Sequence, residues 1–271
     1  MSLLPIVAAA AGAVAGFWTR PLVVRHSTIG SEPPRRDCPR CGASPSAVPP
    51  ASPPAAPPAV PFISLSAGLS AARCPRCSGR IGRIGPPPLA VELLTALALA
   101  ALALRAVSPA RPGVAPAGSV GEFAAYAWLA VIAVVLVFVD AAVHRLPDRL
   151  TLASYLGTVV LLAVTALLEG RFDDLLRAGL GGLALAAFYL VLFLINPAGM
   201  GLGDVKLAAS LGTALGWLGW DAVVAGAFLG FVAGGLYGVA LMVLRRAGRK
   251  SEIPFGPFMV AGAFAVILTG L

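Results

Sequence analysis

Apolar residues fall into eight runs, at about 3–17, 89–107, 122–142, 150–168, 178–196, 205–219, 222–244 and 255–271, separated by polar or proline-rich stretches. A helix needs roughly twenty apolar residues to cross a bilayer core of about 30 Å, and most of these runs approach that length. The pattern predicts an all-α polytopic membrane protein with about eight transmembrane helices. The first run, Leu3 to Phe17, is short for a span, and no Lys or Arg precedes it. It therefore lacks the positive n-region of a signal peptide and reads as a retained first helix. Three parts follow from the pattern: a first transmembrane helix over 1–17, a loop outside the bilayer over 18–88, and a helical membrane domain over 89–271.

Composition strengthens the membrane reading. The chain of 271 residues is 58% hydrophobic and 12% charged, with a mean hydropathy of +0.89, whereas charged residues make up about a quarter of an average soluble domain. The formal charge of +8 raises nucleic acid as a partner. No aromatic-interleaved basic domain accompanies it, so no nucleic-acid partner is expected. Orientation accounts for the charge better. Alternating eight spans puts the loops at 18–88, 143–149, 197–206 and 245–253 on one side, and these hold sixteen of the twenty Lys and Arg residues. The other side keeps Arg105, Arg111, Arg171 and Arg177. The positive-inside rule then sets the large loop in the cytoplasm and the N-terminus outside.

That loop carries all four cysteines, as Cys38-Pro-Arg-Cys41 and Cys74-Pro-Arg-Cys77. Two C-x-x-C knuckles supply four thiolates, the set a tetrahedral structural Zn²⁺ takes, and a small loop has little core without one. The expectation is a cytoplasmic four-cysteine zinc-binding loop domain formed by Cys38, Cys41, Cys74 and Cys77. Two disulfides or a redox pair are the alternative, although no thioredoxin-like pattern surrounds either pair and a cytoplasmic face is reducing. The Pro/Ala/Ser segment 44–61 reads as an extended insertion between the knuckles.

Two acids stand out against the apolar background. Asp140 closes the run Phe138-Val139-Asp140, and Asp204 follows Gly199-Met200-Gly201-Leu202-Gly203. An ionised Asp near a helix centre costs roughly 2.5–3.5 kcal/mol, so such residues face a polar cavity or a partner. In the alternating topology Asp140 ends an outward-to-inward helix and Asp204 begins an inward-to-outward one. Both carboxylates then lie at similar depth near the cytoplasmic boundary. Two such acids can share a proton, leaving one acid and one base, which is how an aspartic protease attacks a peptide with water. The alternative is that both are interfacial acids satisfied by Arg145, Arg149 or Lys206, and spacing alone does not decide. Asp148, after Pro147, reads as a helix cap; His144 reads as solvated, since no serine nucleophile elbow exists. Lys206 either biases which acid ionises or anchors its helix at the headgroups. Glu92 reads as a first-turn acid favoured by the helix macrodipole. Pro254 to Phe258 begin the last helix, and helix initiation and cleft lining both stay open for them.

Four motifs in order carry a resemblance. Asp140-Ala-Ala-Val-His-Arg-Leu-Pro-Asp-Arg-Leu-Thr151, Gly201-Leu-Gly-Asp-Val-Lys206, Ile253-Pro-Phe-Gly-Pro-Phe258, and the twin Cys-x-x-Cys pairs followed by Pro88-Leu-Ala-Val-Glu-Leu-Leu-Thr95 resemble the ordered signatures of the type IV prepilin peptidases. The resemblance implies a G-x-G-D membrane aspartic endopeptidase in the cell's inner or plasma membrane, with its site facing the cytoplasm. Its substrates would be prepilins or pseudopilins, cut between a short basic leader with its glycine and a hydrophobic stem. The family's two catalytic aspartates map onto Asp140 and Asp204, and its zinc-binding domain onto the Cys pairs. Many relatives also methylate the new N-terminus with S-adenosylmethionine, an activity associated with the N-terminal part. Where the family pattern runs G-S-F-L-N-V-V-x-x-R-L, this chain has Ala15-Gly-Phe-Trp-Thr-Arg-Pro-Leu-Val-Val-Arg25, without the Asn. With the 44–61 insertion, this leaves the peptidase expectation standing and the methyl-transfer one open. A cation-coupled transporter, which could also use unwound glycines and paired acids, is the alternative from another class; a non-catalytic zinc-loop membrane adaptor is a third.

Overall fold

The structure is a computed structural model and describes residues 3–29, 72–73, 80–81, 89–107, 119–197, 200–244 and 254–270. Eight helices occur at the eight apolar runs: α1 (Leu4–Ile29), α2 (Ala90–Val107), α3 (Val120–Val143), α4 (Asp148–Glu169), α5 (Phe172–Ile195), α6 (Leu202–Leu218), α7 (Trp220–Val243) and α8 (Gly256–Thr269). Six of them, α1 to α5 and α7, are long and apolar enough to cross a membrane, and the chain is a multi-pass membrane protein. Length and composition support six of the eight expected spans. With 17 residues in α6 and 14 in α8, the other two reach about 25 and 21 Å, short of the hydrocarbon core. The reason is visible in α6, where Leu207, Leu211, Leu215 and Trp217 are at most 1% exposed. Its apolar run faces protein instead of lipid, and an apolar run in the sequence serves both settings alike.

The all-α expectation needs one small amendment. Two-residue strands β1 (Ala72–Arg73) and β2 (Arg80–Ile81) pair antiparallel, Ala72 opposite Ile81 and Arg73 opposite Arg80. They bracket the stretch 74–79 that contains Cys74 and Cys77.

The first helix runs on to Ile29, well past the Phe17 at which its apolar run stops. Its polar residues have partners that let the helix continue. Thr19 Oγ1 donates to the carbonyls of Ala15 at 2.9 Å and Gly16 at 3.2 Å. Arg20 Nη1 donates to Glu92 Oε1 at 3.0 Å. Glu92 is 8% exposed, so it is more than a first-turn acid: it ties α2 to α1, and removing Arg20 would strand a buried charge.

Helix α6 is the centre of the domain. It packs most extensively on α5 and also touches α3, α4, α7 and α8. Gly181 and Gly182 of α5 face Gly212 and Gly216 of α6 across a seam of small residues, the pattern that lets membrane helices approach closely. One end of the bundle is closed by a polar network. Glu122 Oε2, in the first turn of α3, accepts from Trp217 Nε1 of α6 at 3.1 Å and from Arg171 Nη1 at 3.4 Å. Asp174 accepts from Arg171 Nε at 2.6 Å and from Arg177 Nη2 at 2.7 Å. Arg177 also donates to the carbonyls of Gly216 at 2.9 Å and Trp217 at 2.8 Å, and the Arg171 guanidinium lies 4.5 Å from the Trp217 ring centroid. This network holds α3, α5 and α6 together at the end away from Asp140 and Asp204.

Candidate active site

Helix α3 stays apolar almost to its end, and Asp140 sits one turn before it stops. The stop is made by His144, whose left-handed backbone (φ 51°, ψ 33°) caps the helix as its N–H donates to the Asp140 carbonyl at 2.8 Å. The chain then passes through Arg145, Leu146 and Pro147 into α4. His144 is exposed, as read from the sequence. Asp140 is only 4% exposed, and its Oδ2 accepts from the Gly256 N–H at 3.1 Å. Gly256 is the first residue of α8. The carboxylate of Asp140 is thus held at a helix N-terminus, where unpaired N–H groups and the macrodipole favour an anion.

Asp204 is placed by the same physics. It is the third residue of α6, is 7% exposed, and its Oδ2 accepts from the Gly201 N–H at 3.1 Å. Its own N–H donates to the Gly201 carbonyl at 3.1 Å. This is the carboxylate half of a capping box; Gly201 has no side chain to supply the other half. Helix α6, which carries Asp204 near its start, touches both α3, which carries Asp140, and α8, which holds it, so the structure sets both acids at the same end of the bundle. Each is anchored through Oδ2, and among the described residues neither Oδ1 has a hydrogen-bond partner.

Close approach explains two of the glycines. A Cβ on Gly203 would meet Leu146 Cβ at 2.7 Å, so this residue lets α6 begin directly against the α3–α4 turn. A Cβ on Gly256 would meet Asp140 Oδ2 at 2.8 Å. The contact that needs Gly256 joins residues 116 apart in the chain, and nothing in the local sequence announces it.

Two sequence readings are corrected. Lys206 does not reach Asp204; its Nζ lies 2.6 Å from Asp148 Oδ1, in a pair whose side chains are 49% and 77% exposed. Asp148 is therefore not the cap of α4: Pro147 holds the cap position, with no side-chain cap bond, and the Asp148 carboxylate joins α4 to α6. Among the described residues neither Asp140 nor Asp204 makes an ion pair, so pairing with Arg145, Arg149 or Lys206 does not account for them. Tyr189 of α5, which the sequence reading passed over, is buried within electrostatic reach of Asp204. Cys38, Cys41, Cys74 and Cys77 lie outside the described residues, and among the described ones no three metal-binding side chains cluster.

Two buried carboxylates that share a site can divide one proton, so that one accepts a proton from water and the other gives one to a carbonyl oxygen. Residues 126–239 match the Type IV leader peptidase family. Curated relatives include the prepilin leader peptidase/N-methyltransferase of Aeromonas salmonicida, 34% identical over 139 residues, or 50% of this chain and 45% of that protein. Proteins of the same name match from Aeromonas hydrophila, at 35% over 143 residues (50% and 46%), and from Pseudomonas aeruginosa, at 34% over 134 residues (49% and 44%). In each case less than half of the relative's length is covered. No solved structure matches the chain. Over residues 126–239, the stretch that carries Asp140, Gly203 and Asp204, the chain is similar to the Type IV leader peptidase family.

Proposed function

We propose that this protein is a membrane aspartic endopeptidase that removes the basic leader peptide from prepilins or pseudopilins at the cytoplasmic membrane face, with Asp140 and Asp204 as the catalytic pair. The observation that carries the reading is the juxtaposition of two buried acids, each held through one oxygen by a backbone N–H at the start of a helix. The ionised carboxylate takes a proton from water as the water oxygen bonds to the scissile carbonyl carbon. The protonated carboxyl gives its proton to the carbonyl oxygen. Collapse of the tetrahedral intermediate breaks the C–N bond, and a proton passes to the leaving amine. Neither metal ion nor covalent intermediate is needed for this sequence. Cytoplasmic orientation follows from the basic loops at the end where both acids lie.

Cys38, Cys41, Cys74 and Cys77 are proposed to hold one structural Zn²⁺. The pairing of Arg73 with Arg80 supports this, since it brings together the residues that flank Cys74 and Cys77 in the sequence, and four thiolates are the donor set of a structural site. Zinc would fold the loop and take no part in hydrolysis. Co-expression with a candidate prepilin tests the function: a gel shift and N-terminal sequencing should show a product that begins directly after the leader's glycine. An uncut precursor in cells containing the wild-type protein would count against the reading.

A further inference from the structure

Beside the two carboxylates stands a continuous row of aromatic rings. Phe188 of α5 is 47% exposed on the outside of the bundle. Its ring lies 5.6 Å from that of Tyr189 and 5.8 Å from that of Phe231 on α7. Tyr189 stacks on Phe231 at 5.6 Å, and Phe231 lies 5.1 Å from Phe255. Phe255 immediately precedes Gly256, whose N–H holds Asp140. The row thus begins on the exposed outer surface of the bundle and ends beside the Gly256–Asp140 contact. It lies where α5, packed extensively on α6, touches α7 only lightly. It contains one polar atom, the Tyr189 hydroxyl, which has no hydrogen-bond partner among the described residues.

We infer that this aromatic row is the subsite for the apolar stem of a membrane-embedded peptide substrate, which enters sideways from the bilayer between α5 and α7. The inference rests on the endopeptidase reading above. Phe188, Phe231 and Phe255 keep exposed ring surface, backed by the buried Tyr189, and offer an occupant dispersion and ring-edge contacts and no hydrogen bonds, so the occupant is apolar along its length. A segment already in the bilayer reaches Phe188 without crossing water, whereas one arriving from water would have to desolvate first. Continuity with the Gly256–Asp140 contact selects a substrate stem over a passive acyl chain. A stem lying along the rings delivers the peptide bond at its end to the acids, and a lipid has nothing to deliver.

The test uses the full-length protein in membranes with a precursor made of a basic leader followed by an apolar segment. A photoreactive p-benzoylphenylalanine replaces Phe188 in an Asp140→Asn background, where the precursor persists. The control probe replaces Leu156 of α4, which is 50% exposed and, like Phe188, lies roughly 10–12 Å from its helix end on the same side. An adduct with the precursor from position 188 and none from 156 is expected. In cleavage assays Phe188→Ala and Phe231→Ala should raise KM roughly three- to tenfold with kcat within about twofold. Adducts to lipid alone, or unchanged KM, in a protein whose wild type processes the precursor would overturn the subsite and leave the endopeptidase reading intact. An adduct at position 188 with no processing by the wild type would support the subsite and sink the endopeptidase reading.

Discussion

In Asp140 and Asp204 one carboxylate oxygen is fixed by a backbone N–H and the other has no hydrogen-bond partner among the described residues, and under the proposed mechanism substitutions around them should sort by which oxygen they disturb. Asp140→Asn and Asp204→Asn each remove an essential proton carrier, so each should lower leader cleavage by at least about 100-fold while the protein still inserts in the membrane. Cleavage should also fall on both sides of a pH optimum, because one carboxyl must hold a proton while the other is ionised. Asp148→Asn breaks only the exposed pair with Lys206, worth about 0–1 kcal/mol, and should keep most activity. The glycines divide in the same way. On Gly201 a Cβ would meet Asp204 Oδ2 at 3.8 Å, an ordinary contact, whereas on Gly256 it would meet Asp140 Oδ2 at 2.8 Å. Gly201→Ala should therefore be tolerated. Gly256→Ala should cut kcat, by up to about 100-fold if the carboxylate moves by an ångström. Cleavage rates for the two variants at matched protein levels check this, and equal rates would show that the Gly256 contact does not position Asp140.

At the scale of helices, the alternation of apolar runs foretells that the acids lie at one end of the bundle, because Asp140 ends one apolar run and Asp204 precedes another with the intervening helices running back and forth. What local pattern does not contain is the set of contacts that fix one helix against another. Glu122 and Trp217 are 95 residues apart, and each looks ordinary in its own sequence, an acid in a first turn and an aromatic near a helix end. For the same reason Lys206 looks like a partner of Asp204, two residues away, when its true partner is 58 residues distant. Whether a run crosses the membrane is not legible locally either, since the apolar run of α6 records burial in protein as readily as burial in lipid. Glu122→Ala leaves the indole N–H of Trp217 buried without its acceptor, and it loosens Arg171 as well. A loss of about 1–3 kcal/mol is expected, read as a lower melting temperature of the detergent-solubilised protein. Because this network joins α3 to α6 far from the acids, the surviving folded fraction should still cleave precursor. Full stability in the Glu122→Ala protein would mean that the seam of small residues between α5 and α6 holds the bundle unaided.

For the whole molecule, the helical domain and the loop are expected to answer to different perturbations. The four cysteines should bind about one equivalent of zinc, and any single Cys→Ser should lose most of it, because three ligands leave an open site. Metal analysis of purified protein measures this; zinc-free protein with oxidised cysteines, taken from freshly prepared cytoplasm-facing vesicles, would favour disulfides. Methyl transfer is the sharper case, since the matched relatives are named N-methyltransferases as well as leader peptidases, yet the matched family segment begins at residue 126. The proposed hydrolysis would need Asp140, Asp204 and the helix starts that hold them, all in the helical domain. Methyl transfer would need a pocket for S-adenosylmethionine beside the new amine, and misplacing reacting groups by about an ångström can cost roughly 100-fold in rate. In the N-terminal segment Thr19 stands in place of the family's Asn, and its hydroxyl is turned back on its own helix, donating to the carbonyls of Ala15 and Gly16. Arg20 beside it is taken up by Glu92. These two side chains are engaged in holding α1 together and against α2. The two activities should therefore separate: mature substrate is expected to carry a free, unmethylated N-terminus. Mass spectrometry of the mature product reads this directly, and a uniform gain of one methyl group on its first residue, lost in a Cys38→Ser variant that still cleaves, would make the protein bifunctional.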